Sequence, residues 1–287
     1  MARLKANVGV IGLGALGRPI SQRFVEAGCR TAVFDVRREP VQELAMRGAQ
    51  ACASPAEVAS SSDIIFSLVS DAEQTDAIVS GPGGILEALR PGAVFATGST
   101  LGPAPVIRFA RQISDKGGQT LDIPISGGIL AAREGALSLM AGGDIDVLDS
   151  VMPVLRVFAR EITHTGEVGT GQVAKLAHQL VFSVNVMALL EGLALAAAGG
   201  VSPDVMRNVL KQGLANSTVL QVWHDLGPRW KGMLEATPEG APLPNMRKDM
   251  HLVLELAKAL ELALPVGTEA SRVADTGHAT GHQDPSL

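Results

Sequence analysis

The chain of 287 residues carries 24 Lys and Arg against 29 Asp and Glu, a net charge of -5, and 46% of it is hydrophobic. That length suits two domains of roughly 100–200 residues each, and so apolar a chain is not disordered as a whole. The mild acidity and the lack of a basic tract argue against nucleic acid or an anionic membrane as the main partner, and for a small molecule.

Only two cysteines occur, Cys29 and Cys52. They cannot supply a disulfide framework, so a reducing, cytoplasmic setting is expected, with both thiols acting as small buried apolar groups. Aromatics make up 3% of the chain with no Tyr, while Gly reaches 32. Ala, Leu and Val must therefore form most of the core, and the glycines signal tight strand–helix turns.

In chain order, Val8–Ile11 is an apolar run too short for a signal peptide and reads as a buried strand. Similar runs follow at Thr31–Phe34, Ile64–Leu68, Ala93–Ala96, Gln119–Asp122, Leu137–Ala141 and Ile162–His164. They alternate with helical stretches such as Leu16–Ala27 and Pro103–Lys116, which predicts a parallel α/β sheet. Asp71 and Pro103 read as helix starts, one by capping and one by its fixed φ. From about Gly169 helical periodicity takes over, with helices expected at Gln172–Ala198, Pro203–Gln212, Thr218–Asp225 and Met246–Leu262. Gly227-Pro228 and Thr237–Pro244 read as loops and Gly281–Leu287 as a frayed end. The expected fold class is thus α/β, with a parallel-sheet domain over 1–166 and an all-α domain over 167–287. Leu180–Val201 is apolar enough to suggest a membrane span, but it holds Ser183, Asn185, Glu191 and a Gly199-Gly200 break. A central Glu is costly in lipid, so the segment reads as part of a buried helix and no membrane is expected.

Three segments carry chemistry. Gly12-Leu13-Gly14-Ala15-Leu16-Gly17 is a G-x-G-x-x-G between an expected strand and an expected helix. Gly12 permits the turn, Gly14 lets backbone approach a pyrophosphate, and Gly17 lets helix pack on strand, with the helix N-terminus facing the phosphates. Asp35, followed by Val36, ends the second strand 18 residues past Gly17. A carboxylate there would accept from ribose hydroxyls and repel a 2′-phosphate, which favours NAD over NADP; Arg37 and Arg38 keep NADP open. The second segment is Asp122-Ile123-Pro124-Ile125-Ser126-Gly127-Gly128. Its Ser hydroxyl and unobstructed amides could hold a carboxylate, and an ordinary turn is an equal reading. The third, Gly169-Thr170-Gly171-Gln172-Val173-Ala174-Lys175, leads into the long helix, where positions 175, 178, 179 and 182 share a face. Alone, Lys175 is more often a solvated lysine, yet a cation near a helix N-terminus opposes the macrodipole, and such a misfit points to function.

Taken together these motifs resemble the β-hydroxyacid dehydrogenase family over nearly the whole chain. The resemblance rests on GLGALG, Ser67-Leu68-Val69-Ser70-Asp71, Ser99-Thr100 before Pro103, DIPISGG, GTGQVAK and Lys248-Asp249. It implies a Rossmann-type dinucleotide-binding domain, a helical substrate and oligomerisation domain, and NAD(P)-dependent hydride transfer on a small hydroxy acid, with no metal. By the same resemblance Lys175 is the catalytic acid/base, and Ser126, Gly127 and Gly128 bind substrate. Thr100 and Lys248 lie against the cofactor, with Val69 and Ser70 in place of the family's Leu-Pro loop. A free lysine titrates near 10.4, so a base role requires depression by desolvation and a nearby cationic ring.

The family's usual Asn pair is replaced by His178 and Gln179. Gln179 keeps an amide one methylene further out and is similar to the branch that oxidises L-threonate and D-erythronate, as is Gly213-Leu214-Ala215-Asn216-Ser217. His178 either contacts substrate or packs, with packing favoured. Two alternatives are an imine reductase on the same fold and a catalytically silent cofactor-binding scaffold. The first typically has Asp or Tyr where this chain has Lys175, and the second is disfavoured by Lys175 together with the intact SGG turn. The apolar long helix, like the family's habit, points to a homodimer or homotetramer.

Overall fold

The computed structural model describes residues 6–221 and 244–276. Gly227-Pro228, Gly281–Leu287, all of the Thr237–Pro244 loop but its last residue, and the end of the Thr218–Asp225 helix lie outside the described residues. Two compact units divide the chain, Met1–Lys175 and Leu176–Leu287.

In the first unit, β1 (Asn7–Ile11), β2 (Arg30–Phe34), β3 (Gln50–Ala51), β4 (Ile64–Ser67), β5 (Val94–Thr97) and β6 (Gln119–Asp122) run parallel in the order β3-β2-β1-β4-β5-β6. Their connections carry α1 (Gly17–Glu26), α2 (Arg38–Met46), α3 (Pro55–Ser61), α4 (Ala72–Ser80), α5 (Ile85–Ala88) and α6 (Pro103–Asp115). The Asp71 carboxylate accepts from the Gln74 N–H at 2.8 Å and Pro103 opens α6, as capping and fixed φ predict. Successive strand residues go to opposite faces, and both faces are covered. Val8, Val10 and Phe66 pack with Phe24 of α1, whereas Ile11, Ile65 and Phe95 pack with Val58 of α3 and Phe109 of α6. Three of the chain's seven Phe meet on the first face: Phe24 stacks on Phe66 at 5.3 Å, and Phe158 stands edge-on to both. Cys29 and Cys52 are both buried and unbridged.

The sheet is not parallel throughout, which corrects the expectation at its far edge. Pro124 lacks an N–H and interrupts the ladder between β6 and β7 (Ile125–Ser126). From Gly127 to Ala136 the chain is shorter than the dozen residues of a parallel crossover and holds only α7 (Gly128–Glu134). It therefore returns as β8 (Leu137–Gly142), antiparallel to β7 and to the end of β6. After α8 (Ile145–Leu155), β9 (Ala159–Gly166) pairs parallel with β8 and is longer than the expected Ile162–His164.

The division between the units falls inside α9 (Thr170–Ala198), after Lys175. In the second unit, α10 (Pro203–Gln212), α11 (Thr218–Gln221), α12 (Pro244–Ala259) and α13 (Pro265–Thr276) follow. Pro244, expected in a loop, opens α12, a position where a missing N–H costs nothing. Leu176, Leu189, Leu193, Met250 and Val273 belong to the core of this unit. On its surface the Asp275 carboxylate of α13 accepts from Arg247 and pairs with His251 of α12 at 2.8 and 2.9 Å. α9 is long and apolar enough to cross a membrane, and 28% of its most apolar stretch is buried.

Candidate active site

The parallel strands deliver the expected site residues to one end of the sheet. Ile11, Phe34, Ser67, Thr97 and Asp122 stand in register at the carboxyl ends of β1, β2, β4, β5 and β6. Gly12, Asp35, Val69, Ser70 and Thr100 follow directly in the loops. The strand order reverses between β1 and β4, the place where open α/β sheets bind ligands.

The glycine turn is built as its spacing predicts. Gly12 has φ +92°, and a Cβ on it would come within 2.8 Å of the Leu68 carbonyl carbon. A Cβ on Gly17 would lie 1.8 Å from the Gly12 carbonyl oxygen, so helix and turn could not approach. At Gly14 nothing stands within 4 Å of the corresponding position. α1 starts with no side-chain cap and no acidic residue in its first turn, and its Arg18 is paired with Glu43 of α2. Beside it lies a cavity of about 500 Å³ lined by Leu13, Gly14, Ala15, Arg18, Arg37 and Arg133 among others. Open backbone, an uncapped helix start and guanidinium groups fit the phosphates of a dinucleotide.

Asp35 is held from two sides. Its Oδ2 accepts from the Leu13 N–H at 2.7 Å, and its Oδ1 accepts from the Arg37 backbone N–H at 2.8 Å and from Arg37 Nε at 3.2 Å. Burial pushes the carboxyl upward, but the bonds from Arg37 and Leu13 outweigh it and hold the pKa below the ordinary Asp value. Val36 is 87% exposed. Across the next two loops, Ser99 Oγ donates to the Val69 carbonyl at 2.6 Å, and the Ser70 N–H donates to Gln74 Oε1. These bonds fix the rim on which Thr100 sits.

Ser126 ends β7 opposite Ser138, while Gly127 caps α7 and Gly128 starts it. The SGG segment is thus a strand end running into a helix. Lys175, on the second turn of α9, is buried with 6% exposure, unlike a solvated surface lysine. Two buried residues that sequence reading had not singled out hold the start of this helix. Asp122 accepts from the Gly169 N–H at 2.7 Å and from the Gln172 N–H at 2.8 Å. The Gln172 side chain accepts from the Leu101 and Gly102 N–H groups and donates to the Ser99 carbonyl.

In the helical unit the structure brings Gln179 and Lys248 to Asp249, a third residue missed as a functional group, with His178 beside Gln179. Gln179 Nε2 donates to Asp249 Oδ2 at 2.6 Å, and Lys248 Nζ pairs with Asp249 Oδ1 at 2.9 Å. His178 Nδ1 lies 3.1 Å from Gln179 Oε1. His178 is half-buried and hydrogen-bonds to its neighbour. Gln179 keeps one amide hydrogen and one lone pair beyond these contacts. Among the described residues no cluster of three or more His, Cys, Asp or Glu could hold a metal.

Residues 7–166 match the family model described as the NAD binding domain of 6-phosphogluconate dehydrogenase. Residues 169–286 match that described as NAD-binding of NADP-dependent 3-hydroxyisobutyrate dehydrogenase. The chain belongs to the β-hydroxyacid dehydrogenase family. Among members of this family, 2-hydroxy-3-oxopropionate reductase of Escherichia coli is 36% identical over 96% of this chain and 92% of its own. L-threonate dehydrogenase of Cupriavidus necator is 32% identical over 97% and 93%. A crystal structure of 3-hydroxyisobutyrate dehydrogenase from Salmonella typhimurium superposes with a TM-score of 0.80 at 29% identity, covering 94% of this chain and 93% of that one. As a β-hydroxyacid dehydrogenase the chain is an NAD(P)-dependent oxidoreductase of the 3-hydroxyacid type.

Proposed function

We propose that this enzyme reversibly oxidises a small, polyhydroxylated four-carbon acid of the threonate or erythronate kind with NAD, using Lys175 as proton acceptor and donor. The observation that carries the reading is the burial of Lys175 on a helix whose start is clamped to the sheet end bearing the glycine turn. Bound on that turn, the nicotinamide dinucleotide supplies the hydride acceptor for oxidation and the donor for reduction. Ser126 with the Gly127 and Gly128 amides holds the substrate carboxylate. Lys175 Nζ takes the hydroxyl proton as the C–H bond breaks, and returns it in the opposite direction. Thr100, Val69, Ser70 and Lys248 line the cofactor, and Gln179, steadied by Asp249, offers its remaining amide valences to a substrate hydroxyl. Gln179 supports the four-carbon class, and an L-threonate dehydrogenase stands among the relatives at 32% identity beside a 2-hydroxy-3-oxopropionate reductase at 36%.

NAD is the preferred cofactor in this reading, because Asp35 stands where ribose hydroxyls would donate. A second reading, use of NADP, is favoured by one observation: Arg37 already sits on Asp35 and offsets the charge that would repel a 2′-phosphate. An imine reductase is disfavoured by the lysine at 175, and a silent scaffold by that lysine's burial. The apolar α9, with Val181 59% and Leu195 77% exposed, supports a homodimer or homotetramer, and the two unbridged thiols Cys29 and Cys52 suit a reducing, cytoplasmic setting.

The test is initial-rate activity with NAD and NADP against L-threonate, D-erythronate, 3-hydroxyisobutyrate, glycerate and L-serine, with a cyclic imine plus NADPH as control. Turnover of a four-carbon sugar acid with NAD is expected. Silence on every acid with NADH still bound would overturn the substrate reading, and imine reduction would replace it.

A further inference from the structure

Among the described buried ionisable groups of the sheet unit, Asp122 is the one with no exposed surface at all, and its hydrogen-bond partners are backbone N–H groups. Burying a carboxylate is costly unless hydrogen bonds compensate, and here both oxygens face backbone N–H groups at the start of α9. The neighbourhood is shaped around this contact. A Cβ on Gly142 of β8 would fall 2.4 Å from Asp122 Oδ1. One on Gly171 would fall 2.7 Å from Asp122 Oδ2 and 2.5 Å from the Met140 carbonyl oxygen. Two positions on two different elements are thus without side chains where strand, carboxylate and helix meet.

The contact continues past the helix start. Gln172, whose N–H is bound by Asp122, uses its own wholly buried amide to hold both sides of the loop bearing Thr100, through Ser99 on one side and Leu101 and Gly102 on the other. A helix is stiff over one turn, so fixing residues 169–172 fixes the Cα of Lys175 three residues on. From this geometry we infer that Asp122 and Gln172 are positioning residues: Asp122 sets the place of Lys175 relative to the sheet end, and Gln172 ties that place to the Thr100 loop. The inference rests on the reading of Lys175 as the proton-transfer group. A misplacement of about 1 Å at such a group costs on the order of 10²-fold in rate. The burial of Asp122 also pushes its carboxyl above the ordinary range, with the Gly169 and Gln172 N–H groups pulling it part of the way back.

The experiment compares wild type, Asp122→Asn, Gly171→Ala and Lys175→Ala as full-length proteins. The substrate is the acid of the panel turned over fastest, with hydrogen or deuterium on its hydroxyl-bearing carbon. For Asp122→Asn, kcat should fall by about 10- to 100-fold, NADH affinity by fluorescence titration should stay within twofold, and the deuterium isotope effect on kcat should rise. A kcat within twofold of wild type, or a loss of rate matched by an equal loss of NADH affinity, would reduce Asp122 to a structural cap and overturn the inference. Should Asp122→Asn not fold, Gly171→Ala decides by the same criteria, because its Cβ pushes the helix start and the carboxylate apart without removing the carboxylate. Lys175→Ala separates the two claims. If it retains the wild-type rate, the lysine reading fails and the inference with it; if it is inactive while Asp122→Asn is normal, only the inference fails.

Discussion

In the sheet unit the strands are covered on both faces from within the same unit, and Val8, Ile65 and Phe95 have no exposed surface. The helical unit has its own core around Leu176, Leu193 and Met250, yet its long helix leaves Val181 and Leu195 largely exposed. The polar groups differ as well. The sheet unit fixes its site through backbone N–H groups bound by Asp35 and Asp122, whereas the helical unit uses side-chain pairs centred on Asp249. One unit covers both faces of its sheet with its own helices and carries the glycine turn. The other leaves apolar surface open on its long helix and carries His178 and Gln179, which depart from the family's usual pattern as Val69-Ser70 do in the sheet unit.

The contrast can be broken most sharply by removing the aromatic centre of the sheet unit. Phe66→Ala should cost about 3–5 kcal/mol, read by denaturant unfolding. A loss below about 1 kcal/mol would mean that the three phenylalanines do not anchor the unit. A second test addresses the exposed helix. Leu195→Glu should weaken self-association at least about 100-fold, because an unpaired charge in an apolar interface costs several kcal/mol. Light scattering checks it, and an unchanged oligomer, or a monomeric wild type, would remove the proposed role of α9. Asp35→Ala should lower kcat/KM for NAD about tenfold or more, the worth of a charge-assisted hydrogen bond, and narrow the gap to NADP. Equal losses with both cofactors would show that Asp35 only supports the turn.

The smallest effect concerns pH. Because the folded pKa of Asp35 lies below its unfolded value, its stabilising contribution is present above about pH 3.9 and is lost as pH falls through the folded value. The Tm difference between wild type and Asp35→Asn should therefore be flat from pH 7 to 5 and shrink below 4. A difference that shrinks already between pH 7 and 5 would contradict this sign.

The strands that carry the glycine turn and Asp35 were legible because each is a run of β-branched or apolar residues flanked by turn residues, and the glycines stand at a fixed spacing. β3 and β7 were not, since a two-residue strand has no periodicity to detect. α7 was hidden because Gly127-Gly128 reads as a turn, and the reversal of β8 depends on a connection length that local pattern does not weigh. Asp122 could be seen as part of a motif, but its bond to Gly169 joins residues 47 apart in sequence. The pairing of Gln179 with Asp249 crosses 70 positions. Such contacts are decided by tertiary packing, and one sequence carries no local signature of them.

The proposed proton transfer rests on Lys175, and Lys175→Ala tests it most directly. Steady-state rates on the best acid of the panel should fall at least about 100-fold, while NADH titrates the variant with unchanged affinity. Near-normal turnover in that variant would contradict the assignment of proton transfer to this lysine.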